Sequence, residues 1–241
     1  DAGKIPAAAS RNIASWSGTA GIDFLWGSLT GTQKTAIDSA NAANASSPVL
    51  DYLRGDQSGE LQNGGSYRNR TRRLGDIVNS DPAFVHAPNF GYGVLTEGSA
   101  SGATPYATFV NANKSRIKAL YVGVNDGMLH AFDAGTGAEL FAFVPNAVFP
   151  NLSKLTGSGY NSDHRFFVDG SPTVGDAFFG GVWHTVLAGG LNNGGQSVYD
   201  TLEATRSGGR MVNFGNITDT NAPVNPRQLL RRHGFNRMRN D

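Results

Sequence analysis

Two segments of the chain repeat the same hairpin pattern, and this repeat constrains the fold more than any other feature. Residues 120–133 break their β-type run at Asn-Asp-Gly, and residues 186–200 break theirs at Asn-Asn-Gly. Such tripeptides favour tight turns with positive φ between antiparallel strands. A strand that is entered through a proline precedes each hairpin, at 81–85 and at 171–174. Strand, hairpin and outer strand make one blade of a β-propeller, so the sequence predicts about two blade-like units.

A short helical segment precedes the β region. Thr30 and Gln33 have the spacing of a capping box and predict a helix that ends near Ala45. Ser47, followed by a proline, predicts a second helix that ends near Gly55. The predicted fold class is therefore mainly β, a partial, quinoprotein-like propeller that follows a short helical segment.

Sequence pattern divides the chain into three predicted segments. Residues 1–66 form a mixed segment with one or two helices and a polar loop, and residues 67–200 form the partial propeller. Within the propeller, residues 89–115 are rich in small and polar residues and read as a surface loop. Residues 201–241 form a divergent tail, in which seven arginines stand against two aspartates from position 206 onward. A mildly acidic body with a basic tail is not a uniformly basic protein, so we predict no nucleic-acid partner.

Several classes of site lack the residues that they need. The chain has no cysteine, which excludes disulfides, thiolate metal sites and a cysteine nucleophile. No apolar run is long enough to span a bilayer, and no nucleophile-elbow motif is present. The five histidines lack metal-ligand spacing, and the short Asn-rich segments lack the acids of a calcium loop. We therefore predict no catalytic residue, no metal site and no cofactor in this chain.

Four strings, in this order, resemble the propeller region of the PilC/PilY family. They are YRNRTRRLGDIVNSDP (67–82), YVGVNDGMLHAFDA (121–134), HRFFVDGSPTVG (164–175) and the segment 183–195. The predicted helix at Thr30 and the segment 50–56 also match, so the resemblance covers about residues 10–200. The tail after residue 200 departs from the family pattern.

The resemblance implies a type IV pilus biogenesis factor and tip-associated adhesin, and not an enzyme. Such a protein supports pilus assembly and extension, and mediates surface or host-cell attachment, by binding pilin, minor pilins and a host receptor. It also implies export to the cell surface, pilus tip or outer membrane of a Gram-negative bacterium, and a calcium site elsewhere in the parent protein. Two alternatives are a quinoprotein-like propeller enzyme, which would need a complete propeller with calcium and quinone sites, and a generic outer-membrane assembly scaffold.

The sharpest binding candidate is the tripeptide Arg54-Gly55-Asp56. On an exposed loop, such a sequence can engage an integrin, whose metal ion takes the aspartate and whose acidic pocket takes the arginine. The family resemblance implies receptor binding at this position. The alternative is a turn that ends the preceding helix, with the aspartate bonded to nearby backbone.

A second candidate is the basic cluster Arg68, Arg70, Arg72 and Arg73. It could contact a negatively charged partner. The favoured interpretation is structural ion pairing with Asp76, Asp81 or a neighbouring blade, because no aromatic stacking platform lies among these arginines.

Overall fold

The computed structural model describes residues 3–87, 89–95, 105–191, 199–203 and 211–212. Within these residues the chain is mainly β and forms two sheets, which confirms the predicted fold class. The helices of the described part are α1 (Gly31–Asp38), α2 (Pro48–Arg54), α3 (Tyr106–Ala112) and α4 (Phe149–Leu152).

The first sheet has six strands and contains the first predicted blade. Its strands are β1 (Ile13–Trp16), β2 (Gly21–Asp23), β3 (Ala83–Val85), β4 (Ala119–Val124), β5 (Met128–Asp133) and β6 (Glu139–Val144). They lie in the order β2-β1-β6-β5-β4-β3, and β3 to β6 form an antiparallel meander. Strand β1 pairs in parallel with β6, and the Ser15 hydroxyl donates to the Val144 carbonyl (2.8 Å). The first sheet therefore contains strands from both sides of the predicted division after residue 66.

The second sheet is the second blade. Its strands are β7 (Thr173–Phe179), β8 (Val182–Gly190), β9 (Tyr199–Glu203) and β10 (Met211–Val212), all antiparallel. Strand β9 continues past residue 200, where the predicted propeller segment ends, and β10 is the fourth strand of this sheet. The predicted turn at 192–194 and the tail arginines lie outside the described residues.

Local signals set the helix ends. The Gln33 N–H donates to the Thr30 hydroxyl (3.2 Å), and the Thr30 N–H donates back to the Gln33 side chain (3.0 Å), which is the predicted capping box. Helix α1 ends at Asp38 and not near Ala45, because Asp38 leaves the helical region (φ −152°). The Asp38 carboxylate accepts instead from the Ser47 hydroxyl (2.6 Å).

Helix α2 has the ends that the sequence predicts. The Ser47 hydroxyl accepts from the Leu50 N–H (3.2 Å), and Pro48 occupies the first helical position. Gly55 ends the helix in the left-handed region (φ 109°).

The insertion predicted as a surface loop at 89–115 contains helix α3. Tyr106 is buried, its hydroxyl donates to the Asp176 carboxylate (2.7 Å), and its ring centroid lies 4.6 Å from that of Trp183. The insertion therefore packs on the second blade, and the prediction of a plain loop was wrong for α3. Residues 96–104 lie outside the described residues.

The main core lies between the N-terminal segment and the first sheet. Phe24 packs edge-on against Phe149 (centroids 5.8 Å apart), and Ile37 and Leu50 are each 1% exposed. Each such buried side chain contributes about 1.5–3 kcal/mol to the free energy of unfolding. Within the described part of the chain, no helix has the length and apolar character that a membrane span requires.

Candidate functional site

Arg54, the first residue of the predicted receptor motif, points into the protein. Arg54 is buried, with 6% of its surface exposed. The guanidinium donates to the carbonyls of Phe24 (2.8 Å), Ala8 (3.0 Å) and Arg11 (3.0 Å). Burial, and then the nearby charge of Arg11, lower the pKa of Arg54 from its ordinary value. These bonds connect the end of α2 to residues 8–24 near the N-terminus.

The other two motif residues form the end of the helix. The Gly55 N–H donates to the Tyr52 carbonyl (2.8 Å). The Asp56 carboxylate accepts from the Ser58 N–H (3.0 Å) and hydroxyl (2.7 Å), and these bonds lower the pKa of Asp56. This geometry is that of a helix-ending turn, and it leaves Asp56, but not Arg54, within reach of solvent. Receptor binding by the tripeptide stays a prediction, and it would require the Arg54 guanidinium to leave three carbonyls.

Arg70 is bound into the same turn. It forms an ion pair with the fully buried Glu60 (2.8 Å), and its guanidinium lies over the Tyr52 ring at 3.5 Å from the centroid. It also donates to the carbonyls of Tyr52 (2.8 Å) and Asp56 (2.6 Å). Arg70 therefore satisfies carbonyls at the end of α2, and its acidic partner is Glu60, whereas the sequence predicted Asp76, Asp81 or a neighbouring blade.

Arg73 also contacts this turn. Its Nε donates to the Gly55 carbonyl (3.2 Å), and one of its terminal nitrogens donates to the Ile5 carbonyl (3.4 Å). Arg54, Arg70 and Arg73 thus bind backbone oxygens in one region of the molecule. Their common role is to join the first residues of the chain, helix α2 and the segment that leads into the first blade.

All four arginines of the basic cluster line one cavity of about 470 Å³. We call this cavity the arginine groove; its walls include Arg68, Asn69, Arg72, Asp76, Asp126 and Tyr160. Asn69, Arg72 and Asp76 are exposed, so the groove opens to solvent. The groove lies where the segment before the first blade meets the β4–β5 turn and the segment after α4.

Arg68 is held in place by uncharged groups. Its guanidinium lies over the Tyr160 ring at 4.5 Å from the centroid, and its Nε donates to the Leu155 carbonyl (3.3 Å). Its Nη1 reaches the Asn161 side-chain oxygen at 3.5 Å, the limit of a hydrogen bond. Among the described residues, no carboxylate forms an ion pair with Arg68.

Two acidic side chains, Asp76 and Asp126, also line the groove, and we call them its acidic wall. The Asp76 carboxylate accepts from Nε2 of His164 (2.9 Å) and from the Asn125 side chain (3.0 Å). The Asp126 carboxylate accepts from the Gly75 N–H (3.2 Å) and contacts Nε2 of His130 (3.1 Å). The lining of the groove therefore contains both positive and negative side chains.

A buried chain of charges joins this wall to the N-terminal segment. His130 is fully buried between Asp126 and Glu139, whose oxygen lies 2.8 Å from Nδ1. Arg11 binds Glu139 through two nitrogens, each at 2.8 Å. Burial alone would raise the pKa of Glu139, but hydrogen bonds from His130 and Arg11 outweigh burial and lower it to about 2. For His130 burial acts in the other direction and lowers the pKa, but the charge of Asp126 and the bonds to both carboxylates outweigh it and raise the pKa.

Sequence reasoning did not find this chain of charges, because Arg11 and Glu139 are 128 positions apart. Among the described residues, no group of three or more histidine, cysteine, aspartate or glutamate side chains could hold a metal ion. A calcium site elsewhere in the parent protein stays a prediction.

Comparison with known proteins places this geometry in a family. The model of the PilY1 beta-propeller domain matches residues 74–218. The match extends past residue 200, so the interpretation of the tail as unrelated to the family was wrong up to residue 218.

Curated relatives agree with this match. A type IV pilus biogenesis factor PilY1 of Pseudomonas aeruginosa (strain PAK) is 45% identical over 190 residues, which cover 76% of this chain and 16% of that protein. A PilY1 homolog of Xylella fastidiosa (strain Temecula1 / ATCC 700964) is 44% identical over 158 residues, which cover 65% of this chain and 13% of that protein. The chain thus spans between about an eighth and a sixth of the length of these relatives. No solved structure matches the chain.

Proposed function

Since the chain belongs to the family of PilY1 beta-propeller domains, we propose that it acts in type IV pilus biogenesis as a binding scaffold and not as a catalyst. The observation that carries this proposal is the family match over residues 74–218, in a segment for which relatives are named as type IV pilus biogenesis factors. The parent protein would be exported and act at the cell surface, at the pilus tip or outer membrane.

The geometry supports a scaffold because distant parts of the chain are locked together. Arg11 is bound to Glu139 in the first blade, and Arg54 is bound to carbonyls of the N-terminal segment. A surface held in this way presents groups to a partner without a large cost of ordering them. Pilin and minor pilins are the partners that we propose, and their binding would favour pilus extension.

We also propose a role in attachment to surfaces or host cells. If residues 54–56 contribute to it, the contact falls on the Asp56 carboxylate, because the Arg54 guanidinium is occupied by three carbonyls. The Asp56 carboxylate accepts hydrogen bonds from the exposed Ser58, two positions further along the chain.

Pilus biogenesis is tested by complementing a deletion strain with the parent gene lacking the codons for residues 74–218. We expect few or no surface pili by electron microscopy, while the intact gene restores them. Immunoblots must show that the shortened protein is exported at the normal level. Normal pilus number with the shortened protein would contradict the proposal.

Attachment is tested in the same strain with Asp56→Ala, scoring pilus number and host-cell adhesion together. Asp51→Ala is the matched control, because Asp51 is an exposed aspartate on helix α2, which ends at the turn that contains Asp56. Lost adhesion with normal pili in Asp56→Ala alone would support a receptor contact. Normal adhesion in both variants would leave 54–56 as a helix-ending turn.

A further inference from the structure

The arginine groove contains a cation whose hydrogen-bonding capacity is not used. The Arg68 guanidinium is oriented by the Tyr160 ring and the Leu155 carbonyl, so it is fixed before any ligand arrives. Its Nη1 makes only a 3.5 Å contact with Asn161, and among the described residues no acceptor is found for Nη2. A planar fork with two such donors matches the two oxygens of a carboxylate.

We propose that the arginine groove binds a carboxylate of a peptide segment, with Arg68 as the group that receives it. The carboxylate would take the place of Asn161 as the acceptor of Nη1 and would bind Nη2 at the same time. Arg72, which is exposed and lines the same cavity, adds positive charge to the groove.

The acidic wall favours a peptide over an inorganic anion. Asp76 and Asp126 line the same cavity and would repel a small dianion such as phosphate. A peptide avoids this repulsion, because its backbone N–H groups or a basic side chain can lie against Asp76 while its carboxylate lies against Arg68. The exposed amides of Asn69 and Asn161 can pair with peptide backbone.

A volume of about 470 Å³ is enough for a few residues of an extended segment and not for a folded domain. The carboxylate could belong to an acidic side chain or to a chain terminus, and both bring the same group. This inference rests on the proposed function, since such a segment would belong to a pilus component, but it can be tested apart from it.

The test is calorimetric titration of the chain with three short glycine-based peptides. The first carries two glutamates and has blocked ends, the second carries glutamines in their place, and the third has a free C-terminus as its only carboxylate. We expect the first or the third peptide to bind at least about ten-fold more tightly than the second. Which of the two binds identifies the source of the carboxylate.

Two variants assign the binding to Arg68. Arg68→Gln should weaken binding of the carboxylate peptide about ten-fold or more, whereas Arg68→Lys, which keeps the charge and loses the fork, should weaken it less. Lys118→Gln is the matched control, because it removes one exposed positive charge just before β4, outside the groove. Thermal unfolding should show that all three variants are folded. If Arg68→Gln does not fold, the binding of Arg68→Lys alone still tests the assignment.

Equal binding of the glutamate, glutamine and free-terminus peptides would overturn the inference. So would unchanged binding in a folded Arg68 variant, or binding of inorganic phosphate without binding of either carboxylate peptide. If piliation needs residues 74–218 but no carboxylate peptide binds, only the groove assignment fails. If piliation does not need them, the proposed function fails, whatever the peptides do.

Discussion

Asn79 and Asp169 lie ninety positions apart, hold equivalent places in the two blades, and are hydrogen-bonded to each other. The Asn79 N–H donates to one oxygen of the Asp169 carboxylate (3.1 Å), and the Asn79 side-chain amide donates to the other (2.5 Å). The Asp81 N–H and the Ser171 hydroxyl, also ninety positions apart, form a third bond (2.9 Å). The two repeats are therefore joined position by position where their first strands begin.

This seam predicts that Asp169 is important for stability. Asp169 is 1% exposed, so Asp169→Asn would leave donors of Asn79 facing an amide that satisfies them less well. We expect the free energy of unfolding to fall by about 1–3 kcal/mol, measured by urea titration. Asp163→Asn is the control, since Asp163 pairs with Arg165 at the surface and should change it by less than about 1 kcal/mol. Equal effects of the two substitutions would contradict a structural role for the seam.

Glu139 predicts a loss of stability in acid. Hydrogen bonds from His130 and Arg11 outweigh burial and lower the pKa of Glu139 from 4.5 to about 2 in the folded chain. A lowered folded-state pKa gives stability that is present above the unfolded-state value of about 4.5 and is lost as the pH falls towards about 2. The free energy of unfolding should therefore decline over this window.

The variant Glu139→Gln checks this assignment. It leaves the buried Arg11 without its carboxylate, and we expect a loss of about 3–5 kcal/mol at neutral pH. Its remaining stability should depend less on pH between about 4.5 and 2 than that of the parent chain. An acid limb of unchanged steepness would show that other carboxylates control the acid response.

His130 predicts the opposite trend in alkali. The charge of Asp126 and the bonds to both carboxylates outweigh burial and raise the pKa of His130 above 6.5. A raised folded-state pKa gives stability that is fully present below the unfolded-state value and is lost as the pH rises through the folded-state value. Histidine NMR signals followed against pH should give a titration midpoint above 6.5, and a midpoint below it would contradict a protonated His130.

The sequence predicted the features whose partners are close along the chain. The capping box joins Thr30 to Gln33, and the N-cap at Ser47 involves the N–H of Leu50. Such bonds form within one turn of helix, so a pattern of neighbouring residue types is sufficient to identify them. The hairpin repeat is local in the same sense, and from it the sequence predicted two blade-like units.

What the sequence could not predict depends on contacts between distant segments. Strand β1 pairs with β6, and Arg54 is buried by carbonyls up to 46 positions away. An arginine on a polar, glycine-rich segment is usually exposed, and nothing in its neighbours shows that three carbonyls will surround it. Glu60 is fully buried for the same reason, since its partner Arg70 lies ten positions away along an irregular path.

Gly127 gives the last prediction, which concerns the turn that carries the acidic wall of the arginine groove. Gly127 follows Asp126 and has φ 91°, and a Cβ there would collide with the Leu152 side chain. Gly127→Ala should therefore lower the free energy of unfolding by about 1–3 kcal/mol. Gly175→Ala in β7 is the control, because that glycine has no positive φ and open space around it, and we expect little change or a small gain of up to about 1 kcal/mol. The turn also positions Asp126 against His130, so Gly127→Ala should reduce the pKa of His130 as well. An unchanged titration midpoint of His130 would show that the conformation of this turn does not control the pKa of the buried histidine.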